Sequence, residues 1–306
     1  MSLEAPFPTG GRRVRFRGAF VALVTPFRGG ELDEAALRAL VDRQIAAGMD
    51  GLVPCGTTGE STTLSAAERE RVVTVVAEQA AGRVPVLAGG PGNDTAAAVL
   101  AARRSRAAGA DGVLAVTPYY NKPTQEGHYR HLSQIAEAGL PIVAYNVPSR
   151  TGTDLATETV CRLWEAGAIV GLKDATGSMA RILEIRERCL ENESGLDLLS
   201  GDDFTVAPFV ASGGHGVISV SANAVPRRMR ALVHDALAGR MAEAVAEQIR
   251  LAPLHRALFS EPNPIPIKAA MALLGRAGPE LRLPLTPLSE QLLPALRAAL
   301  VALGEL

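Results

Sequence analysis

A short phrase recurs along this chain: Ala47-Gly48-Met49-Asp50-Gly51-Leu52-Val53 returns as Ala108-Gly109-Ala110-Asp111-Gly112-Val113-Leu114. Looser echoes stand at Ala166-Gly167-Ala168 and at Ser212-Gly213-Gly214-His215-Gly216. Each copy ends a helical pattern on glycine, turns tightly and enters an apolar run suited to a buried strand. The repeating unit is therefore βα, which calls for parallel strands covered by helices.

Counting these units along the chain gives eight strands. They fall at 18–27, 51–55, 84–88, 112–116, 142–145, a run ending at Lys173, 196–199 and 216–220, with helical patterns between them. Asp33 reads as a helix N-cap ahead of an apolar stripe of Leu37, Leu40, Val41 and Ile45, and Gly48 fits the C′ position. Ser65-Ala66-Ala67-Glu68 reads as a capping box, with Val72, Val73 and Val76 facing inward. Eight alternations predict an α/β fold, a closed (β/α)₈ barrel over residues 18–239. An open doubly wound sheet is the competitor, but no G-x-G-x-x-G follows the first strand. Residues 240–306 read as helices only, with Pro264, Pro266, Pro284, Pro287 and Pro294 at the joints. No low-complexity linker sets this stretch apart, so it is expected to pack on the barrel.

The first 17 residues carry Arg12, Arg13, Arg15 and Arg17 without an apolar core, and read as a loose extension, not a secretory signal. With 47% hydrophobic residues the chain can bury a substantial core, yet no apolar run approaches the roughly 18 residues of a membrane span. A net charge of −1 and an aromatic fraction of 4% argue against nucleic acid or a membrane surface as partner. Cys55, Cys161 and Cys189 are odd in number and widely spaced, which suits free thiols in a reducing compartment and predicts a cytoplasmic protein. His128 and His131 share a helical face, but nothing nearby completes a metal site, and no metal is expected.

Lys173 stands where an apolar run, 168–172, hands over to a small polar turn. An ammonium there is costly unless it is paired or sheds its proton. A lysine with a depressed pKa is an amine nucleophile that can form a Schiff base with a carbonyl compound. The plainer alternative is a lysine that reaches water or pairs with Asp174.

Barrel active sites lie at the carboxyl ends of the strands. The residues at those ends here are Thr57 and Thr58, Tyr119 and Tyr120, Tyr145 and Arg150, and Lys173. Three of the chain's four tyrosines are in that set. A tyrosine beside the amine, linked through a threonine hydroxyl to a second tyrosine, can relay the protons of carbinolamine formation and dehydration. The Thr57-Thr58-Gly59 turn can hold a carboxylate, and Arg150 offers a fork for a second one. Taken singly, the tyrosines also fit as caps on the core and Arg150 as a surface residue.

Together these residues resemble the dihydrodipicolinate synthase family, within the N-acetylneuraminate lyase superfamily of class I aldolases. The resemblance runs from about Gly18 to the C-terminus. It rests on Gly56-Thr-Thr-Gly-Glu-Ser61, Pro118-Tyr-Tyr-Asn-Lys-Pro123, Tyr145-Asn-Val-Pro-Ser-Arg-Thr-Gly152 and Gly171-Leu-Lys-Asp-Ala-Thr-Gly177. Ser200-Gly-Asp-Asp203, Gly216-Val-Ile-Ser219 and Glu261-Pro-Asn-Pro-Ile-Pro266 complete it. It implies that Lys173 forms a Schiff base with pyruvate and that Tyr145 moves protons beside it. Thr57 and Tyr120 would complete the relay, Tyr120 from a neighbouring subunit. Thr58, Gly201 and the backbone at Ile218 would hold pyruvate, and Arg150 the carboxylate of L-aspartate 4-semialdehyde. The product would be 4-hydroxy-tetrahydrodipicolinate, which feeds diaminopimelate and lysine synthesis. The resemblance further implies a homotetramer, a dimer of dimers, with no cofactor. A sugar-acid aldolase of the same superfamily and a catalytically silent ligand-binding barrel are the alternatives.

Relatives inhibited by lysine bind it in a cleft that here would include Ser61, Asn93 and Tyr119. Arg69, Ala97 and Ala66 replace the histidines and glutamate usual there, so weak lysine binding is expected.

Overall fold

The computed structural model describes residues 14–90, 92–189 and 195–306. Eight strand–helix units follow one another: β1 (Gly18–Ala22) and α1 (Glu34–Ala46), β2 (Gly51–Val53) and α2 (Ala66–Ala80), β3 (Leu87–Gly89) and α3 (Thr95–Ala107), β4 (Gly112–Val116) and α4 (Gln125–Ala136). The second half continues with β5 (Ile142–Asn146) and α5 (Thr157–Glu165), β6 (Gly171–Asp174) and α6 (Met179–Cys189), β7 (Asp197–Ser200) and α7 (Val206–Ala211), β8 (Gly216–Ser219) and α8 (Pro226–Leu237). The strands pair in parallel in the order β2-β1-β8-β7-β6-β5-β4-β3, and a bridge from Leu52 to Val86 closes the ring. This is the expected (β/α)₈ barrel.

The helix starts are made by the residues that local chemistry selects. Asp33, Asp94 and Thr124 each accept a bond from a first-turn N–H, and Ser65 and Glu68 form a reciprocal capping box.

Strand alternation then sorts side chains into two cores. Phe20, Val53, Leu87, Leu114, Val143, Leu199 and Ile218 fill the inside of the barrel, while Val21, Leu52, Ala144 and Leu172 pack outward against the helices. Gly51 is required by this inner packing: a Cβ there would stand 1.9 Å from the Phe20 ring.

The boundaries differ from expectation where the backbone turns early. β1 ends at Ala22, and Phe27–Arg28 pairs with Glu31–Leu32 in a small antiparallel hairpin that the alternation pattern does not reveal. β6 runs one residue past the expected end at Lys173, to Asp174. Residues 1–13 of the expected loose extension lie outside the described residues, but its last members are packed. Phe16 is fully buried at the foot of the barrel, and Arg15 and Arg17 pair with Asp197 at 2.9 and 2.6 Å. An apolar ring between two arginines can plug a barrel whose first turn of strand offers a buried carboxylate.

The reading of three free thiols is also corrected. Cys161 on α5 and Cys189 on α6 form a disulfide, with their Cα atoms 5.7 Å apart. Their separation of 28 residues becomes a contact because α5 and α6 pack side by side. Cys55 is free and buried. His128 and His131 are buried on α4, bonded to Thr153 at 3.0 Å and Thr95 at 2.9 Å.

Three further helices, α9 (Met241–Leu258), α10 (Ile265–Leu273) and α11 (Leu293–Ala302), pack on one another and on α7 and α8. Their tie to the barrel mouth is a buried ion pair. Lys268 on α10 donates to Glu60 in the loop after β2, and to the carbonyl of Glu280 at 2.6 Å. Glu60 also accepts from the Arg282 N–H at 3.0 Å, and the ammonium lies 4.2 Å from the Phe27 ring centroid. Lys268→Met would leave Glu60 as a buried charge without its cation, at a cost of about 3–5 kcal/mol. Urea unfolding is expected to show that loss, and Glu60→Gln added to it to restore part of the stability.

Candidate active site

Register decides what surrounds Lys173. In β6 it pairs with Tyr145 of β5 and Leu199 of β7, so all three share the inward face, while Asp174 points to the helical layer. The acid next in sequence is therefore unavailable to the amine. Arg181 on α6 binds Asp174 at 3.0 Å, Thr176 N–H donates to it at 2.9 Å and Asn146 at 3.3 Å. Lys173 has neither a hydrogen bond nor an ion pair among the described residues, and is 6% exposed. Its ammonium sits 4.2 Å from the Tyr145 ring centroid.

The amine pKa is lowered to about 8, chiefly by burial and further by the charge of Arg150, against an opposing pull from Asp203. Tyr145 moves the other way. Burial raises its phenol, while Arg150 and a hydrogen bond from Thr57 hold it down. An amine that sheds its proton more readily than an ordinary lysine thus faces a protonated phenol that is wired to a threonine hydroxyl, the arrangement that carbinolamine dehydration needs. Gly201 lies against the lysine stem; a Cβ at that position would stand 3.1 Å from Lys173 Cε and 2.7 Å from the Ala175 methyl. Ile218 belongs to the inner core at the same end.

Above this layer opens a cavity of about 380 Å³, lined among others by Thr57, Tyr145, Arg150, Tyr119, Ser61 and Arg69. Lys173, Thr58 and Ile218 lie outside its open volume, in the buried layer that includes Tyr145, and half-buried Gly201 lies outside it too. Arg150 rides on the short helix Pro148–Thr151, exposed, with Nη2 donating to the Asn263 carbonyl at 3.4 Å. Cys55 also lines the cavity, but burial pushes its thiol up to about 12, which removes it as a nucleophile.

Tyr120 is not brought into the site of its own chain. Its backbone has φ of 72° and its ring is 92% exposed. Of the expected effector residues, Ser61, Arg69 and Tyr119 share the cavity, while Asn93 stands apart, its carbonyl bonded by Asn121. Arg69 Nη1 is fastened to the carbonyls of Ser61 at 3.2 Å and Leu64 at 2.6 Å. Ala66, Arg69 and Ala97 border a second hollow between α2 and α3.

Sequence reasoning missed two residues that shape the site. Arg181, which removes Asp174 from competition, gave no signal beyond a charge on a helix. Asn263, which touches both Thr58 and Arg150, carried one: it lies in the Glu261–Pro266 motif, where it was assigned no role.

A closed parallel barrel with a buried lysine, unpaired among the described residues, and a buried phenol at its carboxyl end has the build of a (β/α)₈-barrel enzyme. The comparisons give the family. The family model described as the dihydrodipicolinate synthetase family matches residues 15–303, and the chain belongs to that family, whose members are lyases. A 4-hydroxy-tetrahydrodipicolinate synthase of Anaeromyxobacter sp. (strain Fw109-5) is 54% identical over 291 residues, 95% of this chain and 98% of its own. The crystal structure of dihydrodipicolinate synthase from Aquifex aeolicus superposes with a TM-score of 0.91 at 43% identity, covering 94% of this chain and 98% of that one. The chloride-inhibited synthase from Acinetobacter baumannii, solved in complex with pyruvate, has a TM-score of 0.91 at 42% identity over 95% and 99% of the two chains.

The amine's depressed pKa sets a pH dependence. Only the neutral amine attacks a carbonyl, so adduct formation is expected to rise about tenfold per pH unit below the pKa and level off above about 8. Arg150→Ala removes a like charge and should move that midpoint upward. Borohydride trapping of a keto acid as a function of pH measures both; a flat profile from pH 6 to 9 would rule out the titrating amine.

Proposed function

We propose that this enzyme condenses pyruvate with L-aspartate 4-semialdehyde to give 4-hydroxy-tetrahydrodipicolinate. The observation that carries the reading is Lys173, buried with no ion pair among the described residues and 4.2 Å from the Tyr145 ring centroid. The names of its full-length relatives support it.

Lys173 Nζ adds to the keto carbon of pyruvate, and the carbinolamine expels water with a proton delivered by Tyr145. Loss of a methyl proton gives the enamine, whose carbon attacks the aldehyde. The amino group of the second substrate then displaces Lys173 from the former keto carbon, closing the ring and freeing the enzyme. One water is released overall. Thr57 passes protons to and from Tyr145, Thr58 and the backbone around Gly201 and Ile218 hold the pyruvate carboxylate, and Arg150 the second carboxylate.

Tyr120, exposed on the isolated chain, completes the relay in a partner's site, within a homotetramer built as a dimer of dimers. Biosynthetic chemistry of this kind places the enzyme in the cytoplasm. The Cys161–Cys189 bond weighs against that compartment, because disulfides are rare in the cytosol.

A coupled assay with both substrates tests the reading directly; absence of turnover would refute it. Measured at a pH above the amine's midpoint, Arg150→Ala is expected to keep pyruvate trapping on Lys173 while lowering kcat/KM for the semialdehyde by roughly 10- to 150-fold. Equal loss toward both substrates would make the arginine structural.

Lysine is expected to be a poor inhibitor. A fixed guanidinium at Arg69 opposes a cationic ligand, and Ala97 offers it no carboxylate. Activity across a lysine titration decides the point, and half-inhibition below about 1 mM would contradict it.

A further inference from the structure

Asn263 is reached from both halves of the site. Its side-chain Nδ2 donates to the Thr58 hydroxyl at 2.9 Å, and its main-chain carbonyl accepts from Arg150 Nη2 at 3.4 Å. It lines the cavity from the segment between α9 and α10, outside the eight βα units. Its own Oδ1 is buried with no hydrogen-bond partner among the described residues. For packing alone this is a poor choice of residue, since an apolar side chain would avoid an unpaired buried acceptor. What the amide adds is its donor.

That donor has a chemical consequence at Thr58. A hydroxyl has one proton to give and two lone pairs that accept. With Asn263 Nδ2 bound to one lone pair, the Thr58 oxygen acts as an acceptor toward Asn263. Its own proton has no acceptor among the described residues. We propose that Asn263 is a positioning residue that orients the Thr58 hydroxyl as a hydrogen-bond donor to the pyruvate carboxylate, and through its carbonyl keeps Arg150 in register with that subsite. This rests on the reading of Thr58 as a pyruvate-binding residue.

The polarity of the bond makes the inference testable. Asn263→Ala removes the donor and leaves the Thr58 proton unoriented. Asn263→Asp keeps the size but reverses the bond: a carboxylate accepts from Thr58, turns the proton away from the substrate and adds a like charge beside it. The backbone carbonyl that meets Arg150 survives in both.

The measurement is the pyruvate concentration giving half-maximal borohydride trapping on Lys173, together with kcat and KM for both substrates. The expected result is a rise in half-saturation of about tenfold in Asn263→Ala and a clearly larger one in Asn263→Asp. At saturating pyruvate, kcat should stay within about threefold of the parent, and KM for the second substrate likewise. In a Thr58→Val background, adding Asn263→Ala should change nothing further, because the hydroxyl it orients is gone.

Equal effects of the alanine and aspartate variants, or losses that simply add in the double variant, would overturn the proposal and leave Asn263 as packing. Failure of the parent enzyme to trap pyruvate on Lys173 would instead refute the functional reading beneath it. Trapping on Lys122 or Lys268, the other two lysines of the chain, would do the same.

Discussion

The site depends on a buried lysine that has no ion pair among the described residues. In a buried layer an ammonium seeks the nearest carboxylate, and the nearest in sequence is Asp174. Strand geometry prevents the meeting, because successive side chains point to opposite faces of the sheet. The outer layer then neutralises Asp174: Arg181 supplies the charge, and Asn146 and Thr176 supply further donors. A second clamp follows from the same cluster, since Asn146 ends β5 and Asp174 ends β6. The network that occupies Asp174 also fastens together the two strands bearing Tyr145 and Lys173. What remains inside is an amine beside a phenol and a glycine, acted on from farther off by the opposing charges of Asp203 and Arg150.

The turn at residues 57–59 is governed by a different constraint. Residues 56–61 form a loop without regular structure, and a loop cannot hold hydroxyls in place without external support. Support comes from the C-terminal helices. Lys268 and the Arg282 backbone hold Glu60, which sits at φ of 53°, and Asn263 holds Thr58. The helical region after the barrel is therefore part of the site's architecture, bracing a loop that Thr25 and Arg69 of the βα units hold at Gly59 and Ser61. The same segment supplies the main-chain carbonyl that meets Arg150, so Thr58 and Arg150 share one brace.

Much of the fold was legible because it is set by local rules. Glycine at helix ends, Asp33 and Ser65 as caps, and apolar runs between them are decided within a few residues, and they repeat. The tyrosines, threonines and Lys173 were legible as a set because the barrel places every strand's carboxyl end at one rim. The hairpin at Phe27–Leu32 was not legible, since two-residue strands leave no alternation to detect. Nor was the burial of Phe16, whose neighbours are arginines and whose partner Asp197 is 181 residues away. The Cys161–Cys189 bond escaped for the same reason: it is a product of helix neighbours, and spacing along the chain carries no trace of it.

By itself the sequence determined the repeating βα unit, the rim on which chemistry could occur, and the residue types available there. Those are consequences of periodicity and of side-chain chemistry, which a linear chain displays directly. Tertiary structure alone decided that Lys173 is unpaired, that Arg181 absorbs Asp174, that Asn263 bonds Thr58 and that Tyr120 faces away from its own site. Each of these is a matter of which groups share a face and which oppose it across a distance of many residues. The electrostatic state of a buried amine is set by those neighbours, and only packing brings them together.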